Sequence, residues 1–302
     1  MRAGRCSALL LLALLAQALA ACADAPSDAK REPVLRALDL SLGWLSANPP
    51  DPARVPIGEV ALDAWPWSLF SRLHPDPQVR ARSASEARAR LGTLEPKVEP
   101  TLVALSYWAL LLRILESQDL DATPYREALS GVDIEAILAD GNPTTNLWIS
   151  EMLRHSGFPS ESRVEETYLA TTAADGAGRF EPTVRGAYAL YHEIAPAADL
   201  GRAPPSVFSG AQLEFARSIL PALFEVSRNA GDTDAVAEVL ITAALLGERE
   251  RAFYREGIEW LLAQQRDDGT YRDPRGAGPS LPPQHFRHGV LVVSWALLES
   301  LR

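Results

Sequence analysis

Residues 260–271 read WLLAQQRDDGTY and give the clearest indication of how this chain folds. The pattern predicts the last turns of an amphipathic helix followed by a tight reversal. Gln265 falls where the final carbonyl groups of the helix lack partners, and its amide can donate as well as accept hydrogen bonds. Gly269 permits the positive φ of a reversal. Because Tyr271 is expected to fold back over the amide of Gln265, this stretch, the closing segment, should tie its helix to neighbouring ones.

Segments with helical periodicity fill the rest of the chain. Leu, Ala, Arg and Glu dominate these segments, and Pro and Gly fall between them. Two kinds of helix alternate. Amphipathic segments such as 78–91 and 212–228 are predicted to be outer helices, whereas segments that are apolar nearly all round, such as 101–115 and 286–301, are predicted to be buried. The sequence therefore predicts an all-α protein.

The alternation predicts six helical hairpins, each with an outer helix followed by an inner one. They cover 34–47 with 58–72, 78–92 with 98–115, 121–139 with 143–157, 162–174 with 181–194, 211–228 with 232–247, and 250–266 with 286–301. Six such hairpins suit a closed (α/α) toroid or an open superhelix of stacked pairs. Hairpins in a superhelix usually repeat with a regular period, and these are irregular, which favours the toroid.

The closing segment resembles the QW motif of the terpenoid cyclase and protein prenyltransferase-like toroids. Trp260, Gln265 and Gly269 match that motif, while Tyr271 replaces its Trp and Glu256 stands where a basic residue is usual. In that family the motif is structural and ties neighbouring hairpins together. The resemblance implies the same toroid for this chain and a structural role for these residues.

The catalytic motifs of that family are incomplete. Class II terpene cyclases carry a DxDD acid, whereas residues 232–235 read DTDA. Asp232 and Asp234 can also be read as the cap and first-turn acid of an inner helix. Protein prenyltransferases use a zinc site that includes Cys, and no Cys follows Cys22. We therefore expect neither a metal nor a cofactor.

The parallel inner helices of a toroid begin at one rim, where unpaired backbone amides and helix dipoles favour a ligand. The polar residues near these starts are Asp63, Thr101, Asn146, Arg185, Asp234 and His288. We take Asp63, Asp234, Tyr191 and His288 as candidate catalytic groups. His285 and His288 share a helix face and could also bind a metal, although no third ligand is evident.

Aromatic residues beside these positions are candidate ligand contacts. Trp65 and Trp67 flank a proline next to Asp63, where an inner helix is expected to start, and tryptophan faces can stack on flat ligands. Tyr188 and His192 continue a polar-aromatic stripe with Tyr191, and buried tyrosine hydroxyls need partners. Trp65, Trp67, Tyr188, His192 and Arg185 are the predicted ligand-binding residues, with core packing as the alternative for the aromatic ones.

The first 21 residues read as a secretory signal peptide: Arg2 and Arg5 precede an apolar run that is too short to span a membrane. Residues 19–22 read LAAC and resemble the lipobox of bacterial lipoproteins. The resemblance implies cleavage before Cys22 and its acylation, which anchors the chain in a lipid bilayer.

This leader predicts three parts: a signal peptide over 1–21, a lipidated Cys with a polar tether over 22–33, and a single toroid domain over 34–302. Ala23 follows the Cys, which in a Gram-negative host resembles lipoproteins sent to the outer membrane. The expected location is therefore the bacterial cell envelope, on the periplasmic face of the outer membrane.

Charge and composition limit the function. Loss of the leader reduces 29 basic side chains to 27, against 39 acidic ones, a balance of −12 that disfavours nucleic acid. The leading hypothesis is an anchored envelope lipoprotein whose toroid binds a ligand, an envelope protein or a glycan without catalysis. The alternatives are an (α/α)₆ enzyme that acts on glycans through paired carboxylates and, third, a terpene cyclase-like enzyme.

Overall fold

The computed structural model of the chain describes residues 28–50, 57–92, 94–272 and 282–302. These residues form thirteen α-helices and three short 3₁₀ helices, and their one β contact is an isolated bridge between Gln265 and Tyr271. The all-α prediction is thus confirmed. The predicted leader, Cys22 and the first part of the tether lie outside the described residues.

Outer and inner helices alternate along the chain. The outer helices are α1 (Asp28–Ala47), α3 (Pro77–Leu91), α5 (Thr123–Ser130), α6 (Ile134–Leu138), α8 (Tyr168–Asp175), α10 (Gly210–Asn229) and α12 (Ala252–Gln264). The inner helices are α2 (Ile57–Leu73), α4 (Leu102–Ser117), α7 (Pro143–His155), α9 (Val184–Ala197), α11 (Thr233–Leu245) and α13 (Gln284–Glu299). The chain divides into two compact units between Arg36 and Ala37, and the ring belongs to Ala37–Arg302.

The six inner helices form a closed ring. Each packs against the next in the order α2, α4, α7, α9, α11 and α13, and α13 packs against α2. This closure confirms the (α/α) toroid over the open superhelix. Trp67, Trp108 and Trp295 are among the largest fully buried side chains of the described residues.

Several helix boundaries differ from the predicted ones. The third outer helix is split into α5 and α6, because Gly131 ends the first and Asp133 caps the second through the backbone N–H of Ala136 at 3.1 Å. Helix α1 begins at Asp28, so residues 28–33 of the expected tether are helical. Ala, Lys, Arg and Glu in that stretch are good helix formers.

Pro66 lies in the middle of α2 rather than in its first turn, contrary to the expected helix start. Proline has no N–H to donate to the carbonyl group four residues earlier. The carbonyl group of Leu62 therefore lacks its ordinary helical donor at this point. The helix begins at Ile57, within one residue of the start at 58 in the predicted hairpin and about one and a half turns before Asp63.

The closing segment joins the end of α12 to α1. Gln265 donates through Nε2 to the carbonyl oxygen of Ala37 at 2.8 Å and to the hydroxyl oxygen of Tyr271 at 3.0 Å. Gly269 has φ 88°, and a Cβ there would lie 2.3 Å from the carbonyl oxygen of Leu40. Tyr271 is buried and lies 3.2 Å from the hydroxyl of Ser41. The segment thus connects the last outer helix to the first.

Within the part of the chain that the structure describes, no helix combines the length and the apolarity that a membrane span requires.

Candidate functional site

A cavity of about 780 Å³ lies at the end of the ring where the inner helices begin. Its lining comes from the first three turns of α4, α7, α9 and α13 and from the middle of α2, with one wall from the segment around α8. The lining includes Leu62, Trp65, Ser106, Tyr107, Thr144, Thr145, Trp148, Tyr168, Thr183, Arg185, Tyr188, Tyr191, His192 and His288. The rim with converging helix starts is therefore the open end of the toroid.

An aromatic cluster of Trp65, Trp148, Tyr191 and His192 forms the inner end of this cavity, and Trp295 packs against it from outside the lining. The ring centroid of Trp65 lies 6.2 Å from that of Trp148 and 5.5 Å from that of Trp295. Tyr191 lies 6.5 Å from Trp148 and 6.0 Å from Trp295. The cavity thus ends on tilted and edge-on aromatic rings, which suit an apolar or cationic group.

Acidic residues at the start of α11 lie behind one wall of the cavity, in contact with its lining residues Tyr188 and His288. Asp232 caps the helix by accepting a hydrogen bond from the backbone N–H of Ala235 at 3.1 Å. The hydroxyl of Tyr188 donates to both carboxylate oxygens of Asp232, at 3.0 and 3.1 Å. The Oδ2 atom of Asp234 lies 3.0 Å from Nδ1 of His288. The structure therefore brings two of the predicted catalytic residues, Asp234 and His288, into contact beside the cavity.

Tyrosine hydroxyls on this wall remain neutral over the ordinary pH range. Burial raises the pKa of Tyr188 above its ordinary value, and the charges of Asp234 and Asp232 raise it further. Burial also raises the pKa of Tyr191 well above its ordinary value, with Glu238 and Asp234 adding to the effect. Both groups can therefore donate hydrogen bonds.

Glu238 is a buried acid that the sequence analysis missed, since it stands alone in an apolar run. It lies one turn after Asp234 on α11 and is fully buried, and neither carboxyl oxygen has a hydrogen-bond partner in the described chain. Burial raises the pKa of Glu238 well above its ordinary value, and the charges of Asp234 and Asp232 add to this. The four-residue spacing from Asp234 was the available signal, because it places both acids on one helix face.

His192 presents a hydrogen-bond acceptor to the cavity. Its Nδ1 lies 2.8 Å from the carbonyl oxygen of Tyr188. Because a carbonyl oxygen only accepts, Nδ1 carries the hydrogen, and Nε2 of the neutral ring is an acceptor. Burial lowers the pKa of His192, which favours this neutral form.

Asp63 and Trp67 lie away from the cavity lining. Asp63 is buried between two arginines: its Oδ2 lies 2.6 Å from Nε of Arg90, and its Oδ1 accepts a hydrogen bond from Arg287. Burial raises the pKa of Asp63, and the two guanidinium groups oppose that shift. The guanidinium carbon of Arg90 also lies 4.7 Å from the ring centroid of Trp67. This cluster joins α2, α3 and α13.

The other predicted rim residues differ in their roles. Thr101 caps α4 by accepting a hydrogen bond from Ala104 N–H at 3.2 Å. Asn146 donates to the carbonyl oxygen of Leu138 at 2.9 Å and does not line the cavity. Arg185 lines the cavity mouth and is exposed.

His285 packs edge-on against Phe286, with ring centroids 5.7 Å apart. Across the described residues, no three His, Cys, Asp or Glu side chains are grouped to hold a metal ion.

The closed ring of six hairpins with a cavity at the start of its inner helices defines a terpenoid cyclase-like α/α toroid. The structure is similar to that of the type II terpene cyclase MstE from Scytonema in its apo form, with a TM-score of 0.57 at 15% sequence identity over 90% of this chain and 98% of that one. A substituted MstE with its substrate geranylgeranyl dihydroxybenzoate gives a TM-score of 0.55 at 15% identity over the same shares. At this identity the likeness shows the fold alone.

The chain belongs to the family described as "Domain of unknown function (DUF6895)", which matches residues 14–288. A search of curated proteins found no match to this chain.

Proposed function

We propose that the toroid is a terpene cyclase-like enzyme that binds an apolar, isoprenoid-like molecule in the cavity and transfers a proton to it. The observation that carries this proposal is the contact of Asp234 with His288, at 3.0 Å, beside a cavity that ends in the aromatic cluster. The likeness to a type II terpene cyclase supports the substrate class.

The chemistry assigned to the pair is general acid catalysis. Asp234 takes up a proton from water and gives it to a carbon–carbon double bond, and the carboxylate that this restores accepts a hydrogen bond from Nδ1 of His288. The cation formed on the substrate is stabilised by the faces of Trp65, Trp148 and Tyr191. Nε2 of neutral His192 is available to accept the proton that the cation loses, which balances the reaction as an isomerisation.

The experiment uses the full chain with geranylgeraniol in deuterated water. A protonation step incorporates deuterium into the recovered hydrocarbon skeleton, which mass spectrometry detects whether or not a ring forms. We expect incorporation with the wild-type chain and a loss of at least about 100-fold with Asp234→Asn, since general acids contribute roughly 10²–10⁴-fold.

Asp133→Asn is the matched control for that variant. Asp133 caps the exposed helix α6 and does not line the cavity, and Asn is also a good cap. Equal incorporation by wild type and Asp234→Asn would contradict the assignment of Asp234.

A second candidate function is ligand binding without catalysis. It is favoured by Ala235, which stands where the DxDD pattern of class II terpene cyclases has its last acid. Binding of geranylgeraniol by the wild-type chain with no deuterium incorporation would support this candidate. The glycan-directed alternative has less support, because the carboxylate of Asp63 is enclosed by Arg90 and Arg287.

We also propose that the toroid is held at the bacterial envelope by acylation of Cys22, with the lipid bilayer as its first partner. The LAAC sequence at residues 19–22 supports this proposal. Mass spectrometry of the mature protein should find an N-terminal peptide that begins at Cys22 and carries acyl chains. An unmodified N-terminus beyond residue 22 would contradict the anchor and leave the proposed activity untouched.

A further inference from the structure

Two buried hydrogen-bond donors in the cavity lining have no acceptor within the described chain: the indole Nε1 of Trp65 and the hydroxyl of Tyr191. Trp65 is 4% exposed and Tyr191 is 1% exposed. A buried donor without a partner costs about 1–3 kcal/mol, and folded proteins rarely leave one unsatisfied. A partner supplied from the cavity would remove this cost.

The two donors lie in the same aromatic cluster. Both rings pack against Trp148 and against Trp295, with ring centroids between 5.5 and 6.5 Å apart. Trp67 and Trp108 also have buried Nε1 atoms without partners, but neither residue lines the cavity. Because Trp65 and Tyr191 line the cavity, a molecule inside it can supply the acceptors that these donors lack.

The charges nearby decide which acceptor fits. Indole is a donor only, and a phenol with a raised pKa is a donor at every ordinary pH. The neighbouring groups on α11 that act electrostatically on Tyr191 are the acids Glu238 and Asp234. An anionic acceptor would be repelled by Asp234 and would add a charge to a buried site, which is costly. A neutral oxygen atom avoids both penalties.

We propose that the ligand of this cavity is an apolar molecule with a neutral oxygen function, an ether, carbonyl or hydroxyl group, that accepts hydrogen bonds from Trp65 Nε1 and Tyr191 OH at the inner end of the cavity. This inference rests on the proposed function for the location and the apolar character of the ligand. It holds whether or not a proton is transferred.

The test compares two probes of matched length, farnesyl methyl ether and α-farnesene. Binding to the full chain in lipid nanodiscs is measured by equilibrium dialysis, with empty nanodiscs as the blank. We expect the wild-type chain to bind the ether at least about 10-fold more tightly than the hydrocarbon, since one net hydrogen bond of about 1.4 kcal/mol is a factor of ten.

Tyr191→Phe and Trp65→Phe should each lower this ratio about 5–10-fold and leave the affinity for α-farnesene within about twofold. The matched controls are Tyr254→Phe and Trp108→Phe, because Tyr254 and Trp108 are buried but do not line the cavity. These controls should keep the wild-type ratio. Thermal melting of every variant verifies that it is folded.

Equal binding of the two probes by the wild-type chain would overturn this inference and leave the cavity as an apolar site. A parallel loss of affinity for both probes in Tyr191→Phe would also overturn it, since that is the result of a packing defect. Binding of neither probe would remove the proposed site itself, so the two failures are distinguishable.

Discussion

Two regions of the ring each bury an acidic side chain, and they differ in whether that side chain has partners. At the junction of α2, α3 and α13, Asp63 is 1% exposed and contacts two arginines. On α11, Glu238 is fully buried and neither of its oxygens has a partner in the described chain. The first arrangement stabilises the packing of three helices. The second lowers stability, and it lies beside the cavity, where unsatisfied groups can serve a ligand.

The difference teaches that pairing, rather than burial, decides whether an enclosed acid stabilises this fold. Both acids belong to inner helices and both are enclosed. Removal of the paired acid should therefore damage stability, whereas neutralisation of the unpaired one should improve it. Two substitutions test this contrast between the acids, and a third tests the pairing of a neutral amide, that of Gln265.

Asp63→Ala should have the largest effect, a loss of about 3–5 kcal/mol in the free energy of unfolding. The substitution removes the carboxylate that Arg287 and Arg90 contact in a buried position. Urea denaturation measures the loss. Asp39→Ala, an exposed acid of α1, is the control and should change stability by less than about 0.5 kcal/mol. A loss below about 1 kcal/mol for Asp63→Ala would mean that this junction does not depend on charge pairing.

Gln265→Ala should lower the free energy of unfolding by about 1–3 kcal/mol, because the carbonyl of Ala37 and the hydroxyl of Tyr271 lose a buried donor. Gln264→Ala is the control, since within the described residues the side chain of Gln264 donates to Trp260 O in its own helix. Equal melting temperatures for the two variants would argue against a stabilising role for the closing segment.

Glu238→Gln should raise the free energy of unfolding at pH 8 by about 1–2 kcal/mol. The pKa of Glu238 is raised in the folded state from its ordinary value of 4.5, so the folded chain binds the proton more tightly than the unfolded chain. Stability from this group is full below pH 4.5 and is lost as the pH rises toward the folded pKa. The gain in the variant should therefore vanish near pH 4.

Glu259→Gln, at an exposed position of α12, controls for the loss of one charge. If Glu238→Gln were less stable than the wild-type chain at pH 8, the carboxylate of Glu238 would have to be a paired group.

The architecture could be predicted from the sequence, because the alternation of amphipathic and apolar helices indicates which helices are buried. It failed at the third outer helix, where Gly131 and Asp133 form a break inside a segment that has helical periodicity throughout. Helix ends that depend on one capping residue are weakly specified by periodicity.

The sequence was less informative about the site. Asp63 and Asp234 both lie near acids and aromatic residues on inner helices, yet their partners come from positions 224 and 54 residues away. No local pattern distinguishes an acid that meets Arg287 from one that meets His288. Glu238 was missed because a single acid in the apolar run of α11 reads as part of the helix rather than as a group of the site.

The bond from Gln265 to Ala37 spans 228 residues and has a consequence for how the protein is made. A local hairpin can form as soon as its two helices are synthesised. A contact between residues so far apart in sequence must wait until the last hairpin has been made. A chain exported unfolded, as the proposed leader implies, would therefore remain an open arc with uncovered inner helices until α13, the last inner helix, emerged. Chaperones that recognise apolar helices would have their longest access at this stage, and the packing of α13 against α2 would end it.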